Sequence, residues 1–181
     1  RVSQEARDYL LNNLGSDRLV SRQELEKVIL YAGDNQDISL EDVAAIVGDN
    51  SVLSIENIVF AVVGGNKITL DIGLARATAE GITPIALIRA TQRHIHRLLL
   101  AGAACADGMT PNEAMKILRP PVLFMFAEQF RQQLRMWSPS FSALALSLLT
   151  KSEIECKSTG LPDRAIVERT LLRVSQIART C

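Results

Sequence analysis

The sequence has few aromatic residues and few cysteines. Only 4% of its 181 residues are aromatic, whereas 48% are hydrophobic, so aliphatic side chains and alanine must supply most of the core. Such residues are mostly good helix formers, which favours helices over a β-sandwich or a barrel. The cysteines are widely spaced and form no CxxC pattern; they are Cys105, Cys156 and Cys181. This argues against a disulfide framework or a zinc site and fits the reducing cytoplasm.

The chain also lacks net charge and long apolar runs. Lys plus Arg and Asp plus Glu each number 20, so the total charge gives no reason to expect nucleic acid or a membrane surface. No apolar run approaches the roughly 20 residues of a membrane span, and no signal peptide is apparent. The charge is unevenly distributed, however. Residues 1–60 contain five basic against eleven acidic residues and residues 84–137 seven against three, which predicts two modules with different neighbours.

Helix signals fill the first 50 residues. Residues 3–14 have an apolar pattern behind a possible Ser3 cap, and a second apolar stripe spans 25–32. A third helix is predicted to begin at the capping-box-like sequence "SLED", with Ser39 as the cap. Helices this short are stable only when they pack on one another. Residues 1–50 are therefore predicted to form a small three-helix bundle.

Residues 51–181 are predicted to form a larger helical domain, with the boundary near 48–55. The β-branched stretch 57–67 fits a buried strand or a helix; a helix capped by Ser54 is favoured, because nothing nearby offers a strand partner. Three further helices begin at a Thr-Pro or Ser-Pro pair, which places Pro at the first helical position; the pairs are Thr83-Pro84, Thr110-Pro111 and Ser138-Pro139. A last helix runs from near Pro162 to about Arg179. The period stays near 3.6 throughout, which predicts an all-α chain.

The sequence offers little for catalysis or for cofactor binding. His94 and His96 are two positions apart on a predicted helix, so they point to different faces and cannot share a metal ion. His94 falls on the apolar face, where a packed or hydrogen-bonded histidine is expected, and His96 falls on the wet face. "GGNK" at 64–67 lacks the spacing of a phosphate-binding loop and is expected to be a turn. Because no polar groups converge, we expect no catalytic residue, no metal site and no cofactor.

Positive side chains gather on two predicted helices. On the helix over 84–101 they form one stripe with His96; they are Arg89, Arg93 and Arg97. On the helix over 121–137 they lie opposite a buried stripe that includes Phe130 and Trp137; they are Arg131 and Arg135. Each stripe is either a solvated face or a contact with a partner subunit or a nucleic-acid backbone, where Arg is favoured for bidentate hydrogen bonding. All five arginines are therefore candidate interface residues.

Several segments resemble, in the same order, the C-terminal half of the delta subunit of the bacterial DNA polymerase III clamp loader. "GSDRLVSRQELEKVILYAG" at 15–33 resembles the helical lid of that family. The stretch 55–98 is similar to the start of its collar domain, since an Ala/Leu helix leads through the Gly81 to Pro84 turn to a long helix that bears arginines. The stretch 130–174 is similar to its C-terminal signature, chiefly in "WSP" at 137–139, in the connection from Glu155 through "KSTG" at 157–160 to Pro162, and in the dipeptide Glu168-Arg169.

This resemblance implies an AAA+-type lid at 1–50 and a helical collar at 51–181. It implies a non-catalytic subunit that helps to load the sliding clamp in DNA replication, with delta-prime and gamma/tau as partner subunits and primer-template DNA as a candidate partner near the collar. The clamp would be bound through an N-terminal domain. Because the chain opens on Arg1 inside a helical pattern, we expect it to be a fragment of a longer protein. The resemblance adds three candidate subunit-interface or DNA-facing residues, Lys157, Arg169 and Arg173.

Two other interpretations stay open. Another clamp-loader subunit, delta-prime or gamma/tau, shares the lid-plus-collar architecture and would be distinguished by an intact GxxxxGK[ST] motif upstream. A free-standing helical adaptor, unrelated to replication, would instead begin naturally near residue 1. None of these interpretations involves a membrane.

Overall fold

The structure, a computed structural model, describes residues 2–4, 6–7, 10, 18–33, 37–39, 42–43, 50–158 and 160–180. Within these ranges it contains eight α-helices and a short 3₁₀ helix, Phe124–Phe126. The α-helices are α1 Arg18–Ala32, α2 Asn50–Val63, α3 Lys67–Ala79, α4 Pro84–Ala106, α5 Pro111–Lys116, α6 Ala127–Met136, α7 Pro139–Cys156 and α8 Asp163–Ala178. The described ranges contain no named strand, only an isolated parallel bridge between Val2 and Ile38. The all-α prediction is confirmed.

Local capping explains where several of these helices begin. The Ser3 hydroxyl accepts a hydrogen bond from the amide of Ala6, and Ser39 exchanges hydrogen bonds with Asp42 in a reciprocal capping box. Thr110 and Glu113 form a second capping box at the start of α5. The Ser138 hydroxyl caps α7. These side chains satisfy amides that have no partner inside the helix, so the predicted starts at Ser3, Ser39, Thr110 and Ser138 are confirmed.

Thr83 occupies the cap position of α4 and Pro84 its first position, as predicted, although the Thr83 side chain makes no capping hydrogen bond there. Two predicted details of the helices are wrong. α2 begins at Asn50, so Ser54 lies inside the helix instead of capping it. α6 begins at Ala127 instead of residue 121. The connection before it, with Leu123, packs against the core, so tertiary packing overrides the helical pattern there.

The turn after α2 closes its end completely. The last four carbonyls of α2 have no partner inside the helix, yet each accepts a hydrogen bond from elsewhere. Amides of the 64–66 turn reach the carbonyls of Phe60, Ala61 and Val62, and the Trp137 indole Nε1 donates to the carbonyl of Val63 at 2.8 Å. The "GGNK" stretch is therefore the predicted turn, and Asn66 caps α3 by accepting from the amide of Thr69.

The main core lies around α2 and α4. These two helices pack on each other, α8 packs against both, α3 packs on α2, and α7 packs on α4 and α8. Aliphatic side chains dominate the cluster, with Phe60, Phe126, Phe130 and Trp137 as its buried aromatic members. The core thus joins helices that are far apart in the sequence and fixes which face of α4 stays outside.

A second, smaller core lies near the N-terminus. Its buried members are Ala6, Leu10, Val28 and Val43. Leu123 packs against this cluster and also against the main core. The proposed domain boundary at residues 50/51 stays a prediction, and the end of the first predicted helix and most of the third lie outside the described residues.

The apolar stripe predicted for α1 is buried only in part. Val28 is 3% exposed, but Leu25 and Ile29 are 38% and 68% exposed, and Leu30 beside them is 84% exposed. The expectation that this whole stripe packs inside the bundle is therefore wrong for the part of the chain that the structure describes.

Candidate interaction groove on helix α4

Helix α4 places its side chains on two chemically different faces. Residues such as Leu87, Ala90 and Leu98 point into the core, whereas Arg89, Arg93 and His96 are exposed. This follows from the 3.6-residue period, which brings residues three or four apart to the same face. The sequence-based division of α4 into an apolar and a polar stripe is confirmed, including a buried His94 and an exposed His96.

A groove of about 700 Å³ runs beside the polar stripe. Its walls come from Ile55 and Glu56 of α2, from α4, and from the segment that follows α5. The lining residues are Ile55, Glu56, Ala90, Arg93, His94, His96, Arg97, Leu100, Arg119 and Pro120. Three of the polar side chains are arginines, and Glu56 is the one acidic residue in this lining. The groove is therefore mostly basic, with apolar walls.

Arg119 is held in place by the backbone next to it. Its Nη1 donates to the carbonyl oxygens of Lys116 and Leu118, at 2.8 and 2.9 Å. These contacts fold the side chain back on its own turn at the rim of the groove. Arg119 thus contributes a positive charge of fixed position.

Arg97 is half-buried instead of lying on an open face. The atoms Nε and Nη2 of its guanidinium are shielded from solvent and have no hydrogen-bond partner among the described residues. The guanidinium carbon lies 5.7 Å from the centre of the Phe130 ring, in cation–π range. Burial lowers the pKa of Arg97, and the nearby carboxylate of Glu56 opposes this; the group stays charged because arginine starts so far above neutral pH.

The same surroundings shift the pKa of Glu56 upwards. Burial raises the pKa of its carboxyl group, while the positive charges of Arg97 and Arg93 counteract that effect. Within the described residues no cation lies within ion-pair distance of Glu56. The groove therefore holds unpaired charges of both signs close together, with the positive sign in excess.

The floor of the groove is fixed by a buried polar network. The His94 ring lies 2.7 Å from the Oε1 atom of Gln133, measured from Nε2, and the Nε2 atom of Gln133 donates to the carbonyl of Phe60 at 3.0 Å. Because Oε1 of the amide can only accept, the neutral His94 ring donates from Nε2. Its Nδ1 has no partner among the described residues. These contacts tie α4 to α6 and α2 below the arginines.

Arg89 points away from the groove and pairs with α7. Its Nε lies 3.0 Å from Oε1 of Glu153, and Nζ of Lys157 lies 2.9 Å from the same oxygen. Gln92 donates to the other oxygen at 3.2 Å. These three hydrogen bonds, with that of Lys157 the strongest, lower the pKa of Glu153 to about 2. Two candidate residues, Arg89 and Lys157, are thus occupied by one carboxylate of the same chain.

Replacing Glu153 by Gln is expected to reduce stability modestly near neutral pH, because exposed ion pairs contribute little. A carboxyl group whose pKa is lowered on folding stabilises the fold above its ordinary pKa of 4.5, and this contribution disappears as the pH falls towards about 2. The difference in melting temperature between wild type and Glu153→Gln should therefore be present at pH 6 and shrink below pH 4.5. A difference that does not change with pH would contradict this assignment.

The other candidate residues lie apart from the groove. Arg131 bonds to Glu128 and, through Nη1, to Asn112, and Arg169 lies 3.9 Å from Glu155. Arg135 and Arg173 are exposed and have no ion pair within the described part of the chain. Of the eight candidates, the structure brings only Arg93 and Arg97 together in the groove.

Two charged residues of the groove were not predicted as site residues, Glu56 and Arg119. Glu56 lies on α2 and Arg119 follows α5, so neither shares the helical period that grouped the α4 arginines. Arg119 precedes Pro120 and Pro121. This pair of prolines indicates a connection between helices, but it does not indicate which surface the Arg119 side chain faces. Gln133 was also missed, because a glutamine on a charged helix face is normally solvated.

The described residues contain no group of three or more His, Cys, Asp or Glu side chains that could hold a metal ion. None of the helices within the described ranges has both the length and the apolar character needed to cross a membrane.

Comparison with known proteins places these observations in context. No known family model matches the sequence. The chain is 24% identical over 158 residues to a protein of Rickettsia prowazekii (strain Madrid E) described as a probable DNA polymerase III subunit delta; the match covers 86% of this chain and 49% of that protein. The fold is similar to that of the Bacillus subtilis DNA clamp loader delta protein, with a TM-score of 0.61 and 19% identity over 97% of this chain and 51% of that one. The chain thus spans about half the length of each. The predicted resemblance to the delta subunit is confirmed.

Proposed function

We propose that the chain is the C-terminal part of a clamp-loader delta subunit and that it contributes to DNA replication by assembly and by transmitting movement, without making or breaking bonds itself. The similarity to a probable polymerase III delta subunit over 86% of the chain carries this proposal, and the shared all-helical fold supports it. Its partners would be the delta-prime and gamma/tau subunits, and it would work in the cytoplasm. Contact with the sliding clamp itself would involve another part of the protein.

A division into lid and collar fits the two cores. The small N-terminal core would belong to the AAA+-type lid and the main core to the collar. Leu123, which packs against both cores, would lie at the joint between them. Movement of the lid would reach the collar through this contact, and a hydrophobic contact of one side chain is a suitable hinge because it is non-directional.

The surface of α3 supports assembly through the collar. Ile68 and Ile72 are 75% and 66% exposed, and Ala75 and Ala79 continue the same face at the spacing of a helix stripe. On the opposite face of α3, Leu70 and Leu74 are buried in the core. A helix with one apolar face in the core and a second one outside is typical of a subunit that packs against another helix. We infer that this stripe meets the collar of a neighbouring subunit.

A direct test is to mix the purified chain with the collar domains of the sister subunits and to follow co-migration on gel filtration. Circular dichroism establishes that each component is folded. A stable complex at micromolar concentration is expected. Separate elution of all components would count against the proposal.

The double substitution Ile68→Glu and Ile72→Glu is expected to abolish that complex while leaving the fold intact. Both side chains are exposed, so a charge there costs the free protein little. In the complex, two unpaired carboxylates would be buried, which is strongly unfavourable. The measurement is co-migration together with thermal unfolding of the free chain.

The matched control is Ile154→Glu on α7, since Ile154 is 63% exposed and lies on a different surface. This variant should still assemble. Equal assembly by the α3 variant and the control would exclude the α3 stripe as an interface.

A further inference from the structure

The groove beside α4 carries an excess of positive charge that the chain itself does not neutralise. Arg93, Arg97 and Arg119 face one carboxylate, that of Glu56. Arg93 has no ion pair with any described residue, and the Nε and Nη2 atoms of Arg97 lack partners. Buried donors of this kind are normally satisfied. Because this edge of Arg97 is shielded from solvent, a ligand that brings an oxyanion reaches the exposed Arg93 first and pairs with Arg97 as the side chains that cover its edge move aside.

The geometry of Arg97 specifies the kind of group that fits. Nε and Nη2 form the edge of the guanidinium that carries two parallel N–H bonds, the arrangement that binds a carboxylate or a phosphate through both oxygens. Arg93, one helical turn before Arg97 on α4, adds a second charge to the same wall. Ile55, Leu100 and Pro120 make the rest of the lining apolar.

We propose that this groove is a docking site for a protein segment that carries an aspartate or glutamate next to apolar side chains. The carboxylate pairs with Arg93 and Arg97, and the apolar neighbours lie against Ile55, Leu100 and Pro120. The proposal depends on the proposed function only for the source of this segment, which would then be a sister subunit of the loader. The site is separate from the exposed stripe of α3.

A protein carboxylate fits this groove better than a nucleic-acid backbone does. A phosphate backbone offers nothing to apolar walls, and Glu56 would repel its repeated charges. The described residues of the lining include no Phe, Tyr or Trp on which an unpaired base could stack. A single acidic side chain flanked by apolar ones matches both the charge and the surface.

Glu56 acts as an internal competitor in this arrangement. It lies close enough to Arg97 and Arg93 to interact with both through charge, although neither forms an ion pair with it. Removing its charge therefore leaves the arginines to the incoming carboxylate. Glu56→Gln should tighten binding, whereas Arg93→Glu should weaken it, and opposite effects of these two variants distinguish a carboxylate site from general loss of structure.

The experiment uses two probes on the same set of variants. The first probe is the sister subunits, with affinity measured by titration calorimetry at two salt concentrations. The second is a library of random peptides displayed on phage, selected on the wild-type chain. The variants are Arg93→Glu and Glu56→Gln, and the matched control is Lys151→Glu. Lys151 is exposed on α7, lies outside the groove lining and undergoes the same charge change.

We expect selected peptides to contain Asp or Glu beside Leu, Ile or Phe. Peptide binding should be roughly tenfold weaker to Arg93→Glu, tighter to Glu56→Gln and unchanged for Lys151→Glu. Sister subunits should follow the same order. If sister subunits do not bind at all but the peptides do, the proposed function fails and the groove proposal stands.

The groove proposal is overturned if Arg93→Glu and Lys151→Glu bind both probes equally, or if the selected peptides lack acidic residues. It is also overturned if fluorescence anisotropy shows that Arg93→Glu abolishes binding to a primer-template DNA while leaving both protein probes unaffected, because the groove would then serve nucleic acid.

Discussion

Lowering the pH from 8 to 5 is expected to destabilise the protein by about 2 kcal/mol through His94 alone. Burial lowers the pKa of His94 from 6.5 to about 3, opposed by the hydrogen bond with Gln133 and reinforced by the positive charge of Arg97. Between these two pKa values the unfolded chain binds a proton that the folded chain does not. Stability is therefore highest above pH 6.5 and is lost as the pH falls towards 3.

The structural cause is that the folded protein has no place for a second proton on this ring. His94 is packed edge-on against Phe60 and Phe130, with ring centres 4.6 and 5.5 Å away. Its Nε2 already faces Gln133, and Nδ1 has no partner in the described part of the chain. A proton on Nδ1 would be an unpaired buried donor on a charged ring, one turn from Arg97, which is costly for both reasons.

Urea denaturation at pH 8, 6.5 and 5 measures this effect. His94→Gln should be less stable than wild type at pH 8, because the smaller side chain packs less well between the two rings, but its stability should depend less on pH. The change with pH is the decisive quantity. The range stops at pH 5 so that most carboxylates remain charged in both states.

Two further variants isolate the contribution of His94. His96→Gln makes the same substitution on the exposed face of α4 and should change the stability at pH 8 little, because this side chain is exposed. Glu56→Gln removes a group whose effect on stability has the opposite pH dependence. The pKa of the Glu56 carboxyl group is raised on folding, so this group makes the folded protein more stable as the pH falls. If wild type and His94→Gln show the same dependence on pH, His94 does not titrate as its burial requires.

The helix starts were predictable because their causes are local. The capping boxes at Ser39 and Thr110 each involve residues three apart, so the sequence contains the whole interaction. The same is true of the two faces of α4, which follow from the helical period alone. Sequence reasoning therefore placed His94 inside and Arg89, Arg93 and His96 outside.

The groove could not be predicted, because its members meet only through tertiary packing. Glu56 and Arg93 lie on different helices, and Arg119 lies in the connection between α5 and α6. The pairing of Arg89 with Glu153 joins residues 64 positions apart. Without this distance information, Arg89 and Arg93 were equivalent members of one stripe, although one pairs inside the chain and the other faces the groove.

Gln133 is a buried residue that the local sequence marks as exposed. Its neighbours Gln132 and Arg135 are exposed, so the local sequence marks this region as a solvated face. The structure nevertheless buries Gln133, because it bridges the ring of His94 and the carbonyl of Phe60. Its burial is required by two polar groups on other helices, neither of which its own segment reveals.

Replacing Phe130 by Ala is expected to destabilise the protein by about 3–5 kcal/mol, a large part of the stability of an ordinary domain. Phe130 is fully buried on α6 and lies beneath both Arg97 and His94. Truncation would leave a cavity and would remove the ring face over which the Arg97 guanidinium lies. The loss should therefore exceed that of an aliphatic side chain at the edge of the core.

Urea denaturation at pH 8 measures this loss, with Phe130→Leu as an intermediate variant that keeps part of the volume and should lose about half as much. The matched surface control is Leu144→Ala, because Leu144 is 50% exposed on α7 and should change stability by less than about 1 kcal/mol. Similar losses for Phe130→Ala and Leu144→Ala would show that α6 does not pack on α4 as described. In that case the walls of the groove would also be misplaced, since Phe130 supports the position of Arg97 in it.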